Sequence, residues 1–507
     1  MSDNTLFEPD NEHNRKLKSF VAPDDWTNPE PAEMYNLVVI GAGPCGLIAS
    51  AGASGLGAKV ALIERHAMGG DCLNVGCVPS KGVIRAARAA AQASRSAEFG
   101  VLSSEPEIDF TKAMNRMREL RAGISHVDGV ERYQKELGVD VFLGEASFSS
   151  ENTIKVDGKT LHFKKALIAT GARAARIPVP GLWESGAHTN ETIFSITELP
   201  KRLAVIGGGP IGAELSQAFA RFGSEVYVFD NSDQILNRED QDAAEIVQKA
   251  LVNDGVQLRC GTEIKKVTTE GDEKIIHYDD DSGQMQELRI DSILVAVGRA
   301  PNIEGLNLEK AGITYHKRGI EVDDNLRTAN KNIFAAGDVA MKFQFTHTAD
   351  AAARMVIQNA LFHGRKKLSD LVIPWCTYTE PEIAHVGMYQ ADAKDQGIET
   401  DTYVQELDDV DRAILDGETE GFVKVLTKKG SSEILGATIV AAHAGDMISE
   451  LTLAITHGIG LDKIASTIHP YPTQAEAIKK VADSYSRTKL TPFISKLFKK
   501  WLAWSRG

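Results

Sequence analysis

The stretch "YNLVVIGAGPCGLIASAGASGLGAKVALIERH" (Tyr35–His66) holds an apolar strand, a glycine-rich turn, a helix of small residues and a second apolar strand that ends at Glu64. Gly41, Gly43 and Gly46 stand in G-x-G-x-x-G spacing at the turn. This is the full context in which that spacing binds a dinucleotide. The first glycine permits a tight turn, the second lets backbone approach a pyrophosphate, and the third lets helix and strand pack closely. The helix N-terminus offers unpaired N–H groups and a positive dipole end to the phosphates. An acid at the end of the second strand can accept hydrogen bonds from a ribose diol. The stretch "KRLAVIGGGPIGAELSQAFARFGSEVYVFD" (Lys201–Asp230) repeats the pattern with Gly207, Gly209, Gly212 and Asp230. In both copies the acid follows the first glycine by 23 residues, so two nucleotide-binding units are predicted.

Three further segments end an apolar strand in glycine: "ALIATGAR" (166–173), "ILVAVGRAPN" (293–302) and "NIFAAGDVA" (332–340). Such strand ends suit a chain that crosses between domains or approaches a ligand. Asp338 follows the last of them, where a carboxylate could hold a chain of hydroxyls. From about residue 370 the pattern changes to strands such as "GFVKVLTKK" and "EILGATIVA", then a helix, an α+β arrangement without a nucleotide fingerprint.

The 507 residues are too many for one core. With 43% apolar and 25% charged residues the chain reads as folded, and its net charge of -14 argues against nucleic acid as a partner. The polar start lacks a signal-peptide core, and no run of about 18 apolar residues occurs, so a cytoplasmic protein is expected. Residues 1–34, rich in Asn, Asp, Glu and Pro, form a polar N-terminal extension that reads as a mobile arm.

The five cysteines do not look like a secreted disulfide framework. Two of them, Cys72 and Cys77, lie in "GGDCLNVGCVPSK" (69–81). That pair could be a structural staple, part of a metal site or a redox couple. No second cysteine pair is present to complete a zinc site, and a disulfide over so short a step constrains the unfolded chain little. No resident metal is expected.

The motifs GAGPCG with Glu64, GGDCLNVGCVPSK, ATGAR, GGGPIGAE, VGRAPN, FAAGDV, "TEPEIAHVG" and "HPYPTQAE" together resemble the flavin-dependent pyridine nucleotide-disulfide oxidoreductases, the glutathione reductase and dihydrolipoamide dehydrogenase superfamily. The resemblance runs from about Tyr35 to about Ser484. It implies an α/β protein with two Rossmann-like dinucleotide-binding domains and a C-terminal α+β dimerisation domain. The FAD domain would span 35–180 and 300–365, the NAD(P)H domain 181–299 and the interface domain 370–485, leaving 486–507 as a basic tail. FAD would be held by Gly41, Gly43, Gly46, Glu64, Thr170, Gly171 and Asp338. Gly207, Gly209, Gly212, Asp230 and Gly298 would hold the nicotinamide nucleotide. The resemblance makes Cys72 the outer interchange thiol and Cys77 the inner one, with Lys81 near the flavin and Glu214 its ion-pair partner. A cation there would favour a Cys77 thiolate.

The chain departs from the thiol-disulfide members at the C-terminal motif. They carry His-x-His-Pro-Thr-x-x-Glu, whose second His is the general base lent by the partner subunit. Here the run is His469-Pro470-Tyr471-Pro472-Thr473-Gln474-Ala475-Glu476, so Tyr471 stands in the place of that His and Glu476 in the place of its orienting acid. An unperturbed Tyr titrates near 10 against about 6.5 for His, which makes it a poor proton shuttle at neutrality. A tyrosine there is similar to the mercuric reductases of the same superfamily, where two thiolates hold a soft metal ion. Two of their features do not appear: an N-terminal Cys-x-x-Cys metal-binding domain, and a cysteine pair near "FKKWLAWSRG".

The expected enzyme is a homodimer that passes electrons from NAD(P)H through FAD and Cys72/Cys77 to a soft metal ion or another small acceptor. Alternatives are a disulfide, quinone or dye reductase, or a non-turnover flavin-thiol sensor. NADH is favoured over NADPH, because Asp230 would repel a 2′-phosphate and no Arg occurs between it and Arg238. Thr491 and Pro492 look like N-cap and N1 of a last helix, with Phe493, Leu497, Trp501 and Trp504 on one face and Lys496, Lys499 and Lys500 off it or at its edge. Residues 491–504 read either as a helix docked on the dimer or as a membrane-surface contact.

Overall fold

The computed structural model describes residues 5–102, 104, 106–280 and 282–507. The chain divides into two compact units. One runs through Gln234 and resumes at Asp254–Asp370; the other joins Ile235–Asn253 to Leu371–Gly507.

Both glycine loops lie in the first unit. "YNLVVI" forms the strand Tyr35–Ile40, whose Leu37, Val38 and Val39 are fully buried, as expected of a parallel strand covered on both faces. It pairs in parallel with Val60–Glu64 on one side and Lys159–Ile168 on the other. Asp140–Leu143 extends the sheet beyond the first neighbour and Ile333–Ala335 beyond the second. Parallel neighbours need a crossover, and the helix Pro44–Gly55 supplies it directly after the first glycine turn. The second copy builds the same order from Gln257–Arg259, Glu225–Phe229, Arg202–Ile206 and Ser292–Val295, all parallel, with Pro210–Arg221 as the crossover helix. The sequence repeat is therefore a repeat of topology. A three-stranded antiparallel sheet over 264–290 completes the second core.

The chain passes between the two sheets through Ala172–Ala174 and returns through Arg299–Pro301, which pair antiparallel. Thr170 Oγ1 donates to the Asn302 carbonyl at 2.7 Å, and Asn302 Nδ2 donates back to the Thr170 carbonyl at 2.9 Å. The turn residues of "ATGAR" and "VGRAPN" thus clasp each other.

The expected mobile arm is corrected by the structure. Glu12–Val21 is a helix capped by Asn11, with Asn14, Leu17 and Val21 buried. Their spacing puts all three on one face, so a mostly polar segment still covers a core. Further on, Asn28 brackets Leu143 at the edge strand, donating to its carbonyl at 2.9 Å and accepting from its N–H at 2.7 Å.

The second unit holds a five-stranded antiparallel sheet, ordered Pro374–Thr377, Glu382–Gly387, Ile434–Ala441, Phe422–Lys428 and Thr400–Glu406. The helices Ala444–Thr456 and Glu476–Thr488 pack into its core through Leu451, Ile478 and Val481. Residues 235–253 join this sheet through polar side chains: Glu239 accepts from Trp375 Nε1 at 2.9 Å and from the Tyr389 hydroxyl at 2.5 Å. The last helix, Pro492–Ser505, starts at Thr491, whose hydroxyl accepts from Ile494 N–H at 3.3 Å, and buries no residue. Among the described residues no helix is long and apolar enough to cross a membrane.

Candidate active site

At each glycine loop, three glycines do two different jobs. Gly41 and Gly207 sit at φ +101° and +105°, the left-handed side of backbone space, and a Cβ on either would strike a carbonyl oxygen of a neighbouring strand end at 2.4 or 2.6 Å. A Cβ on Gly46 or Gly212 would lie 1.8 or 1.9 Å from the carbonyl oxygen of the first glycine. These four are required by the fold itself. The middle glycines differ: a Cβ on Gly43 would meet only Gly70 Cα at 3.8 Å, and one on Gly209 would meet nothing within 4 Å. Open space beside an uncapped helix start with Pro at its first turn suits a pyrophosphate, so both loops fit a dinucleotide. The acids match as well. Glu64 Oε2 accepts from Ala42 N–H at 2.7 Å, and Asp230 Oδ2 accepts from Gly208 N–H at 2.6 Å. Among the described residues no cationic side chain pairs with Asp230.

The redox motif continues from the first loop. Gly69 and Gly70, at φ +91° and +55°, turn the chain into the short helix Gly70–Asn74, and Cys77 opens the longer helix Cys77–Ser94. Cys72 and Cys77 are both free thiols, the reduced form of the pair. Cys72 is half-buried and Cys77 is the more exposed. The Thr346 hydroxyl, at the start of the helix Thr346–Leu361, lies 3.4 Å from Cys77 Sγ. The hydrogen bond between the two sulfurs draws the Cys77 thiol down to about 6, against its own burial, with help from the Thr346 hydroxyl and the Lys81 charge. That same hydrogen bond, with burial, pushes Cys72 up. Cys45 shows the contrast: buried, and near the carboxylates of Asp338 and Asp350, its thiol is pushed up to about 12.

Lys81, one helical turn beyond Cys77, reaches Glu214 across to the second crossover helix, Nζ to Oε2 at 2.8 Å. Glu214 is buried, so this is a sheltered ion pair rather than a surface one. On the other side of the redox motif, Arg299 pairs with Asp71, the residue before Cys72, and lies 3.2 Å from Asp338. Burial pushes the Asp338 carboxyl up, and Arg299 opposes that shift. Gly298, at φ +105° with open space around it, and Gly171, at φ +66°, flank this cluster along the chain. The Thr170 hydroxyl is engaged with the crossing strand, as described above.

The sequence reading missed Thr346 and the Asp71–Arg299 pair. "QFTHTADAA" marks a helix start, but nothing in it names a sulfur partner 269 residues away. Asp71 is visible as a charge beside Cys72; its partner depends on how the crossing strand returns.

In the second unit, among the described residues, the side chains of His469, Tyr471 and Glu476 do not bond to one another. His469 Nε2 pairs with Glu450 Oε1 at 2.9 Å, while the Tyr471 hydroxyl donates to Asp411 Oδ2 at 2.7 Å. Asp411 pushes the Tyr471 hydroxyl above its ordinary range, further from neutrality. Glu476 Oε2 is buried without a hydrogen-bond partner, although the resemblance gives it an imidazole to orient.

Residues 35–353 match the family model for pyridine nucleotide-disulphide oxidoreductases, and residues 373–482 match that family's dimerisation domain, which supports a homodimer. A mercuric reductase from Staphylococcus aureus is 36% identical over 457 residues, 89% of this chain and 83% of its own. A dihydrolipoyl dehydrogenase from Geobacillus stearothermophilus is also 36% identical, over 454 residues, 88% of this chain and 95% of its own. Identity alone therefore does not choose an acceptor. Among solved structures, the Cu(II) complex of the HOCl-induced flavoprotein disulfide reductase RclA from Escherichia coli has a TM-score of 0.80 at 26% identity, covering 89% of this chain and 99% of that one. The family implies FAD, NAD(P)H and a redox-active disulfide, as the resemblance led one to expect. The chain belongs to the pyridine nucleotide-disulfide oxidoreductases.

Proposed function

We propose that this enzyme delivers electrons from NADH through Cys72 and Cys77 to a soft metal ion, in the manner of a mercuric reductase. Gly41, Gly43, Gly46, Glu64, Thr170, Gly171 and Asp338 would hold FAD, which would supply a hydride acceptor for the nicotinamide and a relay of the electron pair to the disulfide. The pair breaks the sulfur–sulfur bond; Cys77 keeps the negative charge and Cys72 takes the proton. Lys81, held by Glu214, and the Thr346 hydroxyl keep Cys77 charged at neutral pH. Asp71, fixed by Arg299, orients the segment that carries Cys72. Once Cys72 loses its proton, two thiolates face a soft cation, and a second hydride equivalent supplies the electrons that reduce it.

The observation that carries the metal reading is Tyr471. Its hydroxyl is engaged by Asp411 and its pKa is raised, so it suits a reaction that needs no protonated sulfur leaving group. His469, held by Glu450, is given a packing role. Asp230, already bonded to the second glycine loop and, among the described residues, paired with no cationic side chain, supports NADH over NADPH. The test is an acceptor screen on anaerobically reduced enzyme. Hg(II)-dependent NADH oxidation above the oxygen background is expected. Preference for a disulfide, quinone or dye would contradict the metal reading, and a single reduction that then stalls would indicate a sensor. A clear preference for NADPH in initial rates would overturn the nucleotide assignment.

We also place the enzyme in the cytoplasm with residues 491–504 against a membrane surface. The last helix leaves Phe493, Leu497, Trp501 and Trp504 more than half exposed on one face, with Lys496, Lys499 and Lys500 around the other. Residues 486–507 carry no acid in a chain whose net charge is -14, so their attraction to anionic headgroups is local to the tail. Co-sedimentation with anionic vesicles should be lost in protein truncated after residue 490; equal binding by both forms would refute the contact.

A further inference from the structure

The N-terminal helix lies before Tyr35, outside the span matched to the family, yet its contacts lead to the redox motif. Arg121, on the helix Phe110–Ile124, is buried and links the two. Its Nη1 donates to the Asn74 carbonyl at 2.6 Å, between Cys72 and Cys77 in the chain. Its Nη2 donates to Asn14 Oδ1 at 2.7 Å. Asn14 in turn donates to the Pro9 carbonyl at 2.9 Å and takes its place from the Asn11 cap. A second link runs from Met68 N–H to the Val21 carbonyl at 3.0 Å, just before Gly69 and Gly70.

Asn74 is held through its side-chain nitrogen and its carbonyl. Its amide donates to the Met68 and Gly70 carbonyls at 3.0 and 2.9 Å, and the next carbonyl, Val75, accepts from Asn190 Nδ2 at 3.2 Å. The Asn74–Val75 segment therefore has one fixed path, and that path sets where the two sulfurs stand. Among the described residues no carboxylate pairs with Arg121, and burial draws its pKa down to about 10. Burying an uncompensated guanidinium is costly, and its hydrogen bonds must offset that cost. Losing Asn14 removes one of two acceptors from a planar fork whose value is that it holds both at once.

We propose that the N-terminal helix is a working part of the redox site, with Asn14 and Arg121 as positioning residues that hold the Cys72–Cys77 segment in the geometry in which the two sulfurs bond each other. The inference rests on the reading of Cys72 and Cys77 as the redox pair. It gives residues 12–21 a function that their polar composition hides. A loosened segment would lengthen the contact between the sulfurs, which is the largest influence drawing the Cys77 thiol down.

The test uses full-length, FAD-loaded enzyme reduced by NADH, with iodoacetamide alkylation of each cysteine followed by mass spectrometry across pH. In Asn14→Ala the alkylation midpoint of Cys77 should move up by about half a pH unit or more, with slower acceptor reduction at neutral pH and an unchanged KM for NADH. Arg121→Lys keeps the charge but not the fork, and should shift the midpoint the same way; it also serves should Asn14→Ala fail to fold. Leu17→Ala empties a buried position on the same helix, and should lower Tm with no shift of midpoint. An unmoved midpoint in Asn14→Ala or Arg121→Lys, whatever its Tm, overturns the proposal, as does an equal shift in Leu17→Ala. Full turnover in Cys72→Ser or Cys77→Ser would instead sink the redox reading itself, so the two failures are separable.

Discussion

The two glycine loops are built alike and finished differently. Both place the first glycine at nearly the same positive φ, bury the third against it, and tie the terminal acid to the N–H that follows the first glycine. The first loop, however, is closed over by its own continuation: Gly70 packs beside Gly43, and the next residues carry Asp71, Cys72 and Cys77. The second loop has nothing beside Gly209. On the proposed assignment, the first loop would hold FAD, which stays, and the second a nicotinamide nucleotide that must come and go each turnover.

Several substitutions would break or sharpen that contrast. The largest effect belongs to the thiols. Cys72→Ser and Cys77→Ser should each lower acceptor-dependent NADH oxidation to near the acceptor-independent background, the largest effect of any substitution here. Flavin bleaching by NADH should persist in both, since the donor side is intact. Gly46→Ala comes next. Its Cβ would strike the Gly41 carbonyl, so the purified protein should lack FAD absorbance or fail to fold. Gly209→Ala should leave Tm and FAD content unchanged while KM for NADH rises roughly tenfold, because only a bound nucleotide meets the new methyl group. If both alanines behave alike, the division into glycines the fold requires and glycines that face a nucleotide is wrong.

A smaller effect is expected at the ion pair. The Cys77 thiolate is populated above its pKa of about 6 and lost as pH falls through it. Lys81→Met removes a cation that favours that thiolate while the nearby Glu214 carboxylate, which disfavours it, stays, so the Cys77 pKa should move upward. The pH profile of alkylation should move up by about one unit. An unmoved or lowered profile would remove Lys81 from the site. The smallest change is Asp230→Asn, which should narrow the preference for NADH over NADPH by a few-fold, measured as the ratio of kcat/KM values.

What could be read from the amino-acid order follows from range. The glycine loops were legible because each is a local device: strand, turn, helix and acid all lie within about thirty residues, and their spacing carries the physics. The two sheets follow from those devices, since a parallel neighbour demands the crossover that the pattern already contains. Cys72, Cys77 and Lys81 share one short motif, so their closeness was legible, while the roles given to them came from the family resemblance. Thr346, Arg299 beside Asp71, and Arg121 beside Asn74 were not, because each contact closes over 47 to 269 residues and depends on how separate elements pack. The N-terminal helix misled for another reason. Its composition is polar, but Asn14, Leu17 and Val21 recur on one helical face, and that sparse stripe suffices when a buried arginine needs an acceptor.

On the proposed reading, electrons leave the flavin through the Cys72–Cys77 pair. Anaerobic titration of the oxidised, FAD-loaded enzyme with NADH tests it most directly. The native protein should consume two equivalents of NADH per flavin, the first appearing as thiolate-to-flavin charge-transfer absorbance that fades as pH falls below about 6. Cys72→Ser should consume one equivalent and show no such dependence on disulfide reduction. A native protein whose flavin bleaches fully with the first equivalent, or a Cys72→Ser protein that still takes up two, would contradict the account.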